Sequence, residues 1–494
     1  MHTGPLLVVV LLVSLAADAA DPTRLYEADA TLLGEEGDFA GRSVSGAGDV
    51  NGDGKADVLV GAPGYWPLEW SVESGAAYLL SGPITGRIHL SAADATFVGH
   101  DEDAGYAVSG AGDMDGDGTA DVVIGAPGND GGTGVTYLVL GPVSGTIDLA
   151  LADGFLVGEN PMDLAGISIA DAGDVDADGH DDLVVGASGK GSSIPNPWPY
   201  HLYVGAAYLV LGPVTGTVDL GSADAKLSGE FDDDGDGETP AGADFNGDYV
   251  SGAGDVDADG HDDVLVGAHL NDANGTDSGA AYLVLGPVRH DIDLTRAADA
   301  ELIGEREFDY AGFSVSDAGD VDGDGHDDLL IGAPFNGEGG PDAGAAYLLL
   351  GPITGRLSLN RADAKLVGEQ AGDRAGASVS SAGDVNGDGL ADMIVGAPHK
   401  LTLDWEGPPR PGSAHRGGAY VVLGPVSGHV DLSVAATELV GVGYPERDGA
   451  GNAVSSAGDE DGDGFDDIVI GHWWAGYSLF DTPGAAYVFS GASL

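Results

Sequence analysis

GDVNGDGKADVLVGAP, residues 48–63, places four oxygen-bearing side chains, Asp49, Asn51, Asp53 and Asp57, within nine residues and runs straight into a short apolar stretch. Near-copies return as GDMDGDGTADVVIGAP at 112–127, GDVDADGHDDLVVGAS at 173–188, GDVDADGHDDVLVGAH at 254–269, GDVDGDGHDDLLIGAP at 319–334, GDVNGDGLADMIVGAP at 383–398 and GDEDGDGFDDIVIGHW at 458–473. The first Asp of successive copies is separated by 64, 61, 81, 65, 64 and 75 residues. Self-similarity at a nearly fixed period points to one repeat architecture rather than to several unrelated domains.

Each copy has four short apolar pieces bounded by Gly, Pro and Asp. In the first copy they read GRSVSGAG, DVLVGAP, GAAYLLSG and ADATFVG. Runs of this length, rich in Val, Leu, Ile and Tyr and flanked by turn formers, are β-strands, here called A to D. Four strands per unit and seven units predict an all-β, seven-bladed propeller of four-stranded antiparallel blades. The seventh copy stops after its third piece, GAAYVFSGASL, while an unmatched fourth piece, ADATLLGE at 28–35, precedes the first copy. This N-terminal strand is expected to be the outer strand of the last blade, paired with strand C at 485–490. Closing the ring leaves no long open edge. Tyr78, Tyr137, Tyr208, Tyr282, Tyr347, Tyr420 and Tyr487 hold one place in strand C and read as blade-packing residues.

The chain carries 17 Lys and Arg against 82 Asp and Glu, a formal charge of −65. Phosphate contacts need clustered bases, so nucleic acid is excluded as a partner. No cysteine is present, which removes disulfides, thiolate metal sites and cysteine nucleophiles. Residues 6–17 form an apolar run too short to span a bilayer, and Ala17-Asp18-Ala19 is a small-x-small cleavage site. Residues 1–19 are therefore expected to be a signal peptide, and residues 20–494 a secreted propeller, monomeric and without membrane insertion once the signal is cut.

The acidic loops follow D-x-[DN]-x-D-G-x-x-D. Oxygens at positions 1, 3 and 5 of a tight loop converge, position 7 offers its carbonyl, and the Asp at position 9 closes the shell. Six or seven hard oxygen ligands suit Ca2+. Gly at position 6 allows the sharp turn. The ligand sets are Asp49, Asn51, Asp53 and Asp57 (loop 49–57); Asp113, Asp115, Asp117 and Asp121 (113–121); Asp174, Asp176, Asp178 and Asp182 (174–182); Asp255, Asp257, Asp259 and Asp263 (255–263); Asp320, Asp322, Asp324 and Asp328 (320–328); Asp384, Asn386, Asp388 and Asp392 (384–392); and Asp459, Asp461, Asp463 and Asp467 (459–467). About seven structural Ca2+ ions are expected, without a catalytic role. Position 12, the Glu of an EF-hand, is Val60 in the first copy and lies in strand B, so the ion sits between strands. His180, His261 and His326 at position 7 are expected to point to solvent. A further stretch from Asp232, with Asp234 and Asp236, starts like such a loop but has no Asp at position 9, and its ion binding stays open.

AGRSVSGAGDVNGDGKADVLVGAP, with its six echoes, resembles the FG-GAP repeat of integrin α-subunit heads over residues 28–494. The resemblance implies a seven-bladed propeller with Ca2+ in the A–B loops of one face and ligand contact on the other. This sequence departs in carrying the ion loop in all seven copies. The aromatic of the FG half is also uneven: Phe39-Ala40-Gly41 is close, whereas Ala165-Gly166 and Ala375-Gly376 lack it. Leg domains and a membrane anchor find no match here, so adhesion signalling across a membrane is not carried over.

The B–C loops are the variable part and hold all six tryptophans, Trp66, Trp70, Trp198, Trp405, Trp473 and Trp474. They should emerge opposite the ion loops. Ring closure makes blades six, seven and one neighbours, which gathers Trp66, Trp70, Trp405, Trp473, Trp474 and Tyr477 with the bases His399, Lys400, Arg410, His415 and Arg416. Aromatics beside Arg make binding hot spots, although long loops also need aromatic anchors. No nucleophile elbow, His-Glu-x-x-His or phosphate loop occurs, so a non-enzymatic adhesion or protein-binding module is expected, its partner an extracellular protein or glycan. The alternatives are a carbohydrate-binding propeller and, further off, a calcium-dependent polysaccharide-active enzyme.

Overall fold

Strand B of every repeat, an unbroken run of Val, Leu, Ile and small residues, is buried at each position: Asp57–Ala62 in blade one, Val122–Ala126 in blade two, and so on to Asp467–His472 in blade seven. A strand covered on both faces loses the two-residue alternation of a half-exposed one. Here each B strand lies within a blade sandwiched between two others. The computed structural model describes residues 23–64, 74–190, 205–229, 249–400, 416–441, 449–475 and 483–494. The expected signal peptide lies outside them, as do Trp66, Trp70, Trp198, Trp405, Arg410, His415, Tyr477, Asp232, Asp234 and Asp236.

In blade one, strands A (Ser43–Gly48), B (Asp57–Ala62), C (Ser74–Ser81) and D (Ala95–Glu102) pair antiparallel in sequence order. The other six sheets follow the same order, and the A strands of neighbouring blades pack side by side around a closed ring. The seven-bladed all-β propeller is as expected. Each sheet also has a fifth strand that sequence reading did not anticipate. Gly145–Asp148, from the C–D connection of repeat two, runs parallel to strand D of blade one, and the motif recurs around the ring. These segments are short and mostly polar, as suits an outer edge that must not recruit another chain.

Ring closure uses the N-terminus twice. Ala30–Leu33 pairs antiparallel with Ala485–Phe489 of blade seven, Ala30 opposite Val488 and Leu33 opposite Ala485. It is not the outermost strand, however, because Gly86–His89 of repeat one adds beyond it. Thr23–Arg24 is the fifth strand of blade six. Eleven residues thus stand in for the missing last quarter of repeat seven. Leu25, Ala30 and Leu32 are fully buried, and Asp29 accepts the Ser490 N–H at 3.0 Å.

The apolar core is a set of layers between blades. Leu32, Val58, Val60, Leu80, Val469 and Val488 form one at the seam of blades seven and one. The strand-C tyrosines are all buried in these layers, as expected. Several spend their hydroxyl on a neighbouring polar group, such as Glu159 for Tyr208 at 2.8 Å and Asn336 for Tyr347 at 3.1 Å.

Candidate metal loops and the opposite face

In six of the seven blades the acidic loop follows strand A through a one-residue bulge, seen in blade one as a register shift between Gly46 and Gly48. A bulge bends the strand and re-aims the next side chain, here the position-1 Asp. The position-6 glycines, Gly54 through Gly464, all have φ between 87° and 94°. A Cβ there would meet nothing within 4 Å, so the backbone angle and not crowding demands glycine.

Within each loop the carboxylates first organise the backbone. Asp49 accepts the N–H of Asp53 at 2.9 Å and of Gly54 at 2.7 Å, and Asp53 accepts the N–H of Lys55 at 3.1 Å. The position-9 Asp is fully buried in every loop. Its two oxygens accept the position-2 N–H and a glycine N–H beyond strand C, as Asp57 does from Val50 at 3.1 Å and Gly82 at 3.2 Å. Position 9 is therefore a latch between loop and sheet, a part that spacing alone did not reveal. Burial pushes these carboxyls up, Asp57, Asp121, Asp328, Asp392 and Asp467 from 3.8 to about 6 and Asp182 and Asp263 to about 7, with the loop's own Asp charges adding to it and the two N–H bonds opposing it.

A cation fits this environment. Carboxylate oxygens of Asp113, Asp115 and Asp121 lie within 4.8 Å of one another, as do those of Asp174, Asp176 and Asp182, of Asp255, Asp257 and Asp259, of Asp320, Asp322 and Asp328, and of Asp459, Asp461 and Asp467. Asp176 Oδ1 and Asp257 Oδ1 are buried with no hydrogen-bond partner. Such clusters can hold metal ions through all-oxygen ligation. Loops one and six differ. There the Asn51 amide donates to Asp57 at 3.3 Å and the Asn386 amide to Asp392 at 3.1 Å, so an N–H points where an oxygen faces the cluster elsewhere.

The loops also touch one another. The position-8 N–H of each blade donates to the position-1 carbonyl of the preceding one, from Ala120 to Asp49 at 3.1 Å around to Ala56 to Asp459 at 3.3 Å. Asp181, Asp262, Asp327 and Asp466 at position 8 reinforce this belt by accepting the N–H of the preceding position-1 Asp. Position-7 side chains lean the same way. The expectation that their imidazoles face solvent fails: His180 Nδ1 and His261 Nδ1 are buried, and His326 Nδ1 lies 3.0 Å from the Val256 carbonyl of blade four. Lys55 donates to the Asp461 carbonyl across the closing seam.

On the opposite face the starts of the seven A strands surround a cavity of about 480 Å3. Of the predicted ligand-binding residues, Trp473 and Trp474 are described and lie 4.5 Å apart between ring centres, with Phe39 5.9 and 5.8 Å away. Trp473 also lines the cavity. Arg416 is half-buried beside strand C of blade six. Lys400 is not an available base: it is buried, with Glu369 at 2.5 Å, Glu438 at 3.0 Å and the Tyr420 hydroxyl at 2.5 Å. A second aromatic row, Tyr249, Phe313, His269, Tyr310 and Phe335, runs over blades four and five, with ring centres 5.0 to 6.2 Å apart along it. It went unseen because its members come from separate loops.

The FG-GAP repeat model matches residues 40–80, 104–139, 167–210, 313–349 and 375–421. The chain carries FG-GAP repeats and is similar to integrin α subunits. It is 30% identical over 242 residues to "Integrin alpha pat-2" of Caenorhabditis elegans, a match covering 46% of this chain and 18% of that one. It is 33% identical over 181 residues to "Integrin alpha-PS2" of Drosophila melanogaster, covering 34% and 12%. This FG-GAP protein thus spans under a fifth of those relatives in the matched region. Among solved structures, Sqt1 of Chaetomium thermophilum overlays at a TM-score of 0.41 with 13% identity, across 94% of this chain and 98% of that one. No helix among the described residues is long and apolar enough to cross a membrane.

Proposed function

We propose that the protein is a secreted, calcium-stabilised adhesion or protein-binding module, without catalytic activity, that engages an extracellular partner on the face opposite its acidic loops. The ions, about seven, would be held by the positions 1, 3, 5 and 9 set out above, from Asp49 to Asp467, and act structurally. The observation that carries this reading is the division of the ring: one face is a belt of cation-ready loops that cross-link neighbouring blades, and the other is an aromatic-lined cavity among variable loops. Similarity to integrin α subunits supports extracellular protein binding. Residues 1–19 would be cut on export, and the mature propeller would be monomeric.

The test is capture of partners from the native surroundings with and without Ca2+, alongside a glycan array. Replacing Trp70, Trp405 and Trp474 with Ala should abolish capture while leaving the melting temperature within a few degrees, because exposed loops tolerate change better than the sheets they join. Capture that ignores both Ca2+ and the triple substitution refutes the reading.

A further inference from the structure

Arg42 stands at the mouth of the central cavity, in a chain with 82 acidic and 17 basic residues. Four described lysines that are at least partly buried, Lys190, Lys226, Lys365 and Lys400, each meet a carboxylate. Arg42 meets none among the described residues. Its guanidinium instead lies 4.4 Å from the centre of the Tyr106 ring and 5.5 Å from that of Trp473, and one Nη donates to the Tyr106 hydroxyl at 2.6 Å. Stacking occupies the faces of a guanidinium and leaves its edge. That edge carries five N–H donors in a fixed plane, matched to a carboxylate, and among the described residues only one is used.

The walls add neutral partners. Ser168, Ser314 and Ser378 each accept an N–H from the next blade, Val250, Val379 and Val454, at 3.1, 3.0 and 3.1 Å. Among the described residues none of the three hydroxyls has an acceptor for its own hydrogen. The cavity volume falls within the range of small-ligand sites, about 300–1,000 Å3. From the same rim Tyr249 and Phe313 present rings 5.0 Å apart.

We propose that this cup binds a carboxylate-bearing sugar, such as a uronic acid residue, with the carboxylate on the Arg42 edge, ring hydroxyls accepting from the serines, and a pyranose face against the aromatic wall. A single acidic peptide side chain would satisfy Arg42 but leave the hydroxyl ring unused, which favours the sugar. Asp171 and Asp317 lie on strand A four residues beyond Ile167 and Phe313 of the rim, about 13 Å deeper at 3.3 Å per residue and well removed from the Arg42 edge.

The inference deepens the proposed binding role by naming a ligand class, and it rests on that reading only in taking this face as the binding face. Ligand-observed NMR and calorimetry on the full Ca2+-loaded protein should show a glucuronate-containing disaccharide binding at least tenfold more tightly than its carboxyl-reduced, neutral counterpart. Arg42→Gln should weaken the acidic disaccharide at least tenfold, leave the neutral one unchanged, and keep the wild-type melting temperature; Ser378→Ala should cost a few-fold. Equal binding of the acidic and neutral sugars by the wild-type protein overturns the proposal without any variant. So does an N-acetylglutamate or acidic peptide that binds as well as the sugar, or an Arg42→Gln protein that binds as the wild type does. Loss of Ca2+-dependent partner capture with sugar binding intact would instead count against the adhesion reading alone.

Discussion

Removing divalent cations should invert the way stability depends on pH. The seven position-9 carboxyls are fully buried, and their ordinary value of 3.8 is raised to about 6 in five loops and about 7 in two. At 1.36 kcal/mol per pH unit, keeping one of them ionised in the ion-free fold costs about 3 to 4 kcal/mol. Even discounted two- to threefold for shared relaxation, seven such groups amount to roughly 10 kcal/mol, comparable to the whole stability of a typical domain. The folded state binds more protons than the unfolded one between about pH 4 and pH 7, so stability in chelator must fall as pH rises through that window and level off above it. Bound Ca2+ reverses the sign, because protons then compete with the ion for the same oxygens and stability is lost on acidification. Calorimetric melting in EDTA and in millimolar Ca2+ across this range should give two curves that meet at low pH and diverge as pH rises, with the chelated protein markedly less stable near pH 8 and Mg2+ a poor substitute for Ca2+. The net charge of −65 pushes the chelated curve the same way, but that contribution is largely screened in 1 M salt, where the Debye length is about 3 Å. A chelated protein whose melting temperature is flat or rises between pH 5 and 8 in high salt refutes the reasoning.

Deleting residues 23–33 removes the clasp of two blades and two buried leucines, each contributing about 1.5–3 kcal/mol, and exposes strand C of blade seven; size-exclusion chromatography should show aggregation, and a monomer of unchanged stability would show that the clasp is dispensable. Asn386→Asp replaces the amide N–H facing Asp392 with an oxygen, so the stoichiometry or affinity of Ca2+ binding should rise by calorimetry while the ion-free protein loses stability; unchanged binding would mean that loop six already ligates through its Asn. Lys400→Met leaves Glu369 and Glu438 facing each other around a buried tyrosine, and breaking a buried ion pair on one side costs about 3–5 kcal/mol in chemical denaturation; a cost below 1 kcal/mol would mean that the two carboxylates reach solvent.

What was legible in the sequence is what repeats. Seven copies of one loop sharpen a weak local signal, so the strand order, the closing strand and the converging carboxylates could be read before any coordinates. The fifth strand could not: GRIH and GTID are short, polar and adjacent to a turn, and they become strands only because the previous blade offers an edge. The same holds for position 9. Its spacing says carboxylate at the end of a loop, but its two partners lie in the loop and beyond strand C, and only the folded blade brings them together. Residues at positions 7 and 8 were misread or passed over for a related reason, since their contacts cross to the preceding blade, 70 and 72 positions away for His326 and Asp327. The cup shows the limit most clearly. Arg42, Tyr106, Phe313 and Trp473 share a cavity though no two belong to one repeat, and the ring alone sets them against one another. Equivalence between repeats therefore tells which residues build the propeller, and departure from it tells where to look for what the propeller binds. Of the residues at the start of strand A that line the cavity, one from each blade, Arg42, Tyr106, Ile167, Tyr249, Phe313, Ala377 and Asn452, Arg42 is the one base.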